Sequence, residues 1–60
     1  MKWFKISELP PPKGKVINTK IEENGVSRNE QKLKLGTDNG LWWFPDGSMY
    51  VYYSPTHWSY

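Results

Sequence analysis

Between Lys15 and Glu22 apolar and polar positions alternate, with Ile17, Thr19 and Ile21 on one side and Asn18, Lys20 and Glu22 on the other. A period of two is that of a strand with one buried face. Glu23-Asn24-Gly25 comes next, and because Asn and Gly tolerate the positive φ of a tight hairpin, the chain is predicted to turn there. The returning strand runs toward Gly36, with Gln31, Leu33 and Leu35 facing inward and Lys32 and Lys34 facing water; its beginning, Ser27 to Glu30, is polar enough to read as loop. After the turn composition Thr37-Asp38-Asn39-Gly40, the apolar run Leu41-Trp42-Trp43-Phe44 predicts a third strand. Pro45-Asp46-Gly47 predicts a reverse turn, and Ser48 to Tyr53, rich in aromatic residues, a fourth strand.

The two ends are less regular. Lys2 to Ile6 alternates aromatic with basic or apolar residues, as an edge strand or a packed arm does, and Ser7 to Gly14 contains three consecutive prolines, which make it an extended connector. Ser54 to Tyr60 opens with a proline break and either packs across the sheet or adds a last short strand. No segment has a helical period with caps. The expected fold class is all-β: a small antiparallel meander of three to five strands in one domain over 1–60, with an arm and connector at 1–14 and the sheet at 15–60.

Composition narrows what such a sheet can do. With 60 residues and no cysteine, the domain has no disulfide staple and buries only about 60% of the surface its unfolded chain exposes. Most of the ten aromatic residues are therefore needed for the core, and any ring that looks like a binding residue is a core candidate first. The absence of cysteine and of a long apolar run leads us to expect a cytoplasmic protein with no signal peptide and no membrane span. The net charge of +2 is small but unevenly placed: all lysines and the arginine precede Gly36, whereas eight of the ten aromatics follow it.

Trp3, Ile6-Ser7, Leu9-Pro10, Gly14, Val16 and the closing Thr56-His57-Trp58 occur in an order that resembles a short domain-of-unknown-function family common in tailed phages and prophages. The resemblance spans most of the chain. It departs from the family pattern where Phe4 and Lys5 separate Trp3 from Ile6, where Pro55 stands in place of a usual Val, and where the family's Met-Pro-Leu-Pro after the tryptophan has no counterpart. It implies a phage origin, a small β-rich fold and no catalytic role. By class analogy, it also implies action through binding a protein of the bacterial host.

Little in the sequence offers chemistry. His57 is the single histidine, and the six carboxylates have no metal-ligand spacing, so we expect neither metal nor cofactor. There is no phosphate-binding loop, dinucleotide fingerprint or serine elbow, and a packed or capping role is expected for His57; the chain does not read as an enzyme. The strongest signal is aromatic. In a strand Trp42 and Trp43 must point to opposite faces, as must Tyr52 and Tyr53, so both faces of the sheet carry rings. We expect an exposed aromatic face that binds a host protein, anchored by Trp42, Tyr50 and Tyr52, with Trp58 and Tyr60 joining them. The same patch makes a homodimer plausible. The alternative is a single-stranded nucleic-acid module in which these rings stack on bases while Lys13, Lys15, Lys20, Lys32 and Lys34 hold the phosphates. Sugar binding ranks third, with only Asp38, Asn39 and Asp46 near the rings in sequence.

Overall fold

The computed structural model describes residues 2–38 and 40–60. The chain folds as a five-stranded antiparallel sheet without helix among the described residues. The strands are β1 (Phe4–Lys5), β2 (Val16–Glu23), β3 (Val26–Leu35), β4 (Trp42–Trp43) and β5 (His57–Ser59), in the spatial order β1-β5-β2-β3-β4. The expected all-β class holds. The order is that of a meander across β2, β3 and β4; β5 then returns to the far side of β2 and separates it from β1.

The β2–β3 hairpin is built as its sequence dictates. Glu23 pairs with Val26 across Asn24 and Gly25, which have φ of 53° and 78°, the two positive values that a two-residue turn of matching twist requires. Pairing continues at once, so Ser27 to Glu30 is strand rather than the expected loop. These residues are polar because the hairpin tip extends past its neighbours and both of its faces meet water. The register slips between Thr19 and Ile21, where Asn29 takes a φ of 53° and two residues of β3 stand against Lys20.

Strand parity sorts the side chains into two faces. Ile17, Leu33, Trp42 and Trp58 form the buried cluster, with Phe4, Ile6, Leu35, Phe44, Val51 and Tyr53 packed around it. Two crossing segments cover this face. The proline connector is fastened by the Trp58 indole, whose Nε1–H donates to the Leu9 carbonyl at 2.9 Å, and by Gly14 N–H, which donates to Leu35 at 2.7 Å; Pro11 is buried. The second segment, 44–56, carries the chain from β4 back to β5 and contributes Phe44, Val51 and Tyr53. Each fully covered large apolar side chain contributes about 1.5–3 kcal/mol, so these few residues supply most of the hydrophobic stabilisation.

Four expectations need correction. The fourth strand, expected over Ser48 to Tyr53, is reduced to one bridge between Trp43 and Tyr50, because β4 is only two residues long and offers no strand partner beyond Val51. Gln31 is exposed rather than inward and donates through Nε2 to the Tyr53 hydroxyl. Lys20, expected in water, is only 9% exposed under the Trp3 ring. Trp42 and Trp58, expected as surface anchors, are 6% and 1% exposed and belong to the core. Of the turn expected at Thr37 to Gly40, Asn39 lies outside the described residues.

Candidate functional site

The turn at 44–47 positions the exposed rings. Gly47 N–H donates to the Phe44 carbonyl at 2.8 Å across Pro45 and Asp46, and the Asp46 carboxylate accepts from Ser48 N–H at 2.9 Å. Proline at the second position of such a turn and glycine at the fourth are the residues this geometry favours. The Ser48 N–H also holds the Asp46 carboxyl below its ordinary value of 3.8, with Lys34 adding a smaller lowering. Leaving the turn, Phe44 N–H bonds Met49 at 2.9 Å and Val51 N–H bonds Trp42 at 2.8 Å. This short ladder places Val51 beside Trp42 on the core side and Tyr50 beside Trp43 on the other.

Trp43, Tyr50 and Tyr52 consequently form a run of rings. Trp43 and Tyr50 meet edge to face with centroids 5.5 Å apart, and Tyr50 and Tyr52 do the same at 5.2 Å. Tyr50 is 37% and Tyr52 83% exposed, with Leu41 and Met49 exposed nearby. Edge-to-face pairs are stabilising by about 0.5–1.5 kcal/mol, so the rings hold one another in place while their outer surfaces stay open. Tyr50 and Tyr52 thus stand where the sequence put them, but Trp43 takes the position expected for Trp42. The signal was present in the sequence: any even-length loop after Phe44, here the four residues 45–48, puts Trp43 on the face of Tyr50 and Tyr52.

Tyr60, 72% exposed, lies at the other end of the molecule, against Phe4 at 6.3 Å and Trp58 at 5.1 Å. The five lysines of the nucleic-acid reading are dispersed. Lys15 sits over the Tyr60 ring at 5.2 Å. Lys20 is paired to Glu22 at 2.7 Å and covered by Trp3, its ammonium 4.5 Å from the ring centroid. Lys34 stands opposite Trp43 in the β3–β4 pairing and reaches toward Gly47. Lys32 is exposed on the same face of β3, and Lys13, exposed, bridges to Leu35 from the connector.

Of the residues that carry the phage-family resemblance, Trp3, Ile6 and Thr56-His57-Trp58 gather at the β1–β5–β2 end, whereas Gly14 bonds the Leu35 carbonyl of β3 and Val16 pairs with Lys34. Thr56 N–H donates to the Lys20 carbonyl at 3.0 Å, its carbonyl accepts from Ile6 N–H at 3.0 Å, and its Oγ1 accepts from Glu22 N–H at 2.8 Å. His57 Nδ1 lies 2.7 Å from the same Oγ1, which also stands 3.5 Å from the Lys20 carbonyl. Trp58 fastens the Leu9-Pro10 connector. Glu22 is held below its ordinary value of 4.5 by its hydrogen bond and charge interaction with Lys20, against a smaller opposing effect of burial.

No group of three or more His, Cys, Asp or Glu among the described residues is placed to hold a metal ion. Comparisons with protein-family models, with curated proteins and with solved structures find no match. The phage-family resemblance therefore rests on its motif residues alone.

Proposed function

We propose that this is a non-catalytic phage accessory protein that binds a protein of the bacterial host through the ring surface Trp43, Tyr50 and Tyr52, so inhibiting or diverting that protein. The observation that carries the reading is the edge-to-face run of these rings, Tyr50 and Tyr52 exposed and Trp43 half-buried, beside a turn whose geometry is fixed by its own hydrogen bonds. Rigid Trp and Tyr side chains with little entropy left to lose are the usual anchors of protein interfaces. Leu41 and Met49 supply apolar surface beside them. The motif resemblance supports the phage origin, and its residues Thr56 and Trp58 act in this chain as fold latches apart from the ring surface.

Single-stranded nucleic acid is the second reading, favoured by Lys34 and Lys32 beside Trp43. The burial of Lys20 and the remoteness of Lys15 weigh against it, because a phosphate backbone needs cations interleaved along its whole track. Affinity capture from host lysate, with and without nuclease, separates the two when wild type is run beside the Tyr50→Ser/Tyr52→Ser double variant. The expected result is one host protein retained after nuclease digestion by the wild type and lost by the variant. Retention of the same protein by both would overturn the ring-surface reading, and loss on digestion would promote nucleic acid.

A further inference from the structure

The polar tips of the aromatic rings differ between the two faces of the sheet. On the core side they are engaged: the Trp58 N–H donates to the Leu9 carbonyl, and the Tyr53 hydroxyl accepts from Gln31. On the other side the Trp43 N–H and the Tyr50 and Tyr52 hydroxyls have no hydrogen-bond partner among the described residues. Trp43 is half-buried, and because no buried side-chain nitrogen or oxygen is left unpaired, its N–H reaches solvent. Three donors therefore stand free along one run of rings. Beneath Tyr50 and Tyr52 a cleft of about 240 Å³ is walled by Leu41, Trp42, Val51 and Tyr53, with no charged residue in its lining.

A ligand for this run has to lay apolar surface against rings spaced 5.5 and 5.2 Å apart, accept hydrogen bonds from their tips and bring no charge to the cleft. A helix fails the second requirement, since it spends its carbonyls on itself. A proline-rich segment meets all three. Its polyproline II backbone rises about 3.1 Å per residue, so every second residue falls close to the next ring, and its carbonyls are unpaired. It also arrives preformed, which keeps the entropy loss small. Charge adds a direction. Lys34 stands opposite Trp43 at one end of the run, and neither Asp38 nor Asp46 comes within ion-pair distance of it, so a carboxylate flanking the prolines complements that end. A second copy of this chain does not qualify, because its own Pro11 is buried and its Leu9 carbonyl is taken.

We propose that the ring surface takes a proline-rich segment of its partner in the polyproline II conformation, with an acidic residue beside the prolines meeting Lys34. This rests on the ring-surface reading and names the chemistry of what that surface holds.

The test is a titration of the isotope-labelled chain with an oligoproline peptide carrying glutamate at both ends, beside a Gly-Ser peptide of the same length and ends and an oligothymidylate. The expected result is saturable shifts of the Trp43 indole N–H and the amides of 49–52 with the proline peptide alone, the Trp58 indole staying unmoved. Tyr52→Phe keeps the ring and removes an exposed hydroxyl, so it folds, and it should weaken binding about fivefold, as loss of one hydrogen bond does. Lys34→Ala should cancel the advantage of this peptide over one without glutamate. Equal binding of the Gly-Ser peptide, or no saturable shift with oligoproline, would overturn the inference, and tighter binding of oligothymidylate would turn the surface over to nucleic acid. If oligoproline fails while Tyr50→Ser/Tyr52→Ser still loses a host protein in the lysate capture, only this inference falls; if the double variant keeps that protein, the ring-surface reading falls with it.

Discussion

The two ends of the sheet use aromatic side chains in opposite ways. At the β1–β5–β2 end the strands are short, yet the backbone is fastened by side chains: the Trp58 indole to Leu9, Thr56 to Glu22, and Asn18 Nδ2 to the Tyr60 carbonyl at 2.8 Å. At the β4 end a two-residue strand and a single bridge support Trp43, Tyr50 and Tyr52, which lean on one another. Ring content is similar. What differs is whether a ring's polar tip and its neighbours are tied into the backbone network, and that difference separates a latch from a presented surface.

The comparison breaks first at Trp58. Trp58→Ala is expected to cost about 3–5 kcal/mol through the cavity alone, and it also leaves the Leu9 carbonyl without its donor. A domain of this size has about that much stability in total. The variant should therefore lack a cooperative melt and near-ultraviolet circular dichroism, and a wild-type melt would show that the latch is dispensable. Thr56→Val comes next, at about 1–3 kcal/mol, because Glu22 N–H loses its acceptor in a partly buried position; the urea midpoint should fall, and Thr56→Ser should restore it.

The opposite end is expected to respond weakly. Tyr50→Ser/Tyr52→Ser should lower stability by about 1 kcal/mol, the worth of the ring contacts removed, while abolishing partner capture. A large loss of stability would place these rings in the core. The smallest effect is electrostatic. The folded-state pKa of Glu22 lies below its ordinary 4.5, so its pairing with Lys20 stabilises the fold fully above that value and less as pH falls through the folded-state pKa. Glu22→Gln should flatten the fall in thermal midpoint between about pH 5 and pH 3 and leave the midpoint's salt dependence weaker. Asp46 adds a similar slope at the other end, starting from 3.8.

Elements set by local chemistry were legible in the sequence. The alternation of Ile17, Thr19 and Ile21 and the Asn24-Gly25 turn fix β2 and the start of the hairpin, because period-two burial and positive φ leave few alternatives, whereas the bulge opposite Lys20 that shifts the register by one residue carries no such local signal. Tyr50 and Tyr52 were legible as exposed rings for the same reason. What depended on distant partners was not. Trp42 and Trp43 are alike in sequence, and only the return of the chain across one face decides which is covered. The burial of Lys20 follows from Trp3, which reaches it only because β5 brings β1 alongside β2. The pairing of Lys5 with His57 joins residues some fifty positions apart, and no spacing rule connects them.

The strand order has a consequence for how the protein is made. β5 lies between β1 and β2, so β1 has no partner until residues 57–59 have followed. The β2–β3 hairpin forms from neighbours in sequence, but the indole that completes the core arrives near the end. Such non-local closure makes folding slow relative to local hairpins. Until β5 docks, Phe4 and the proline segment wait uncovered, and the sheet closes in a single late step.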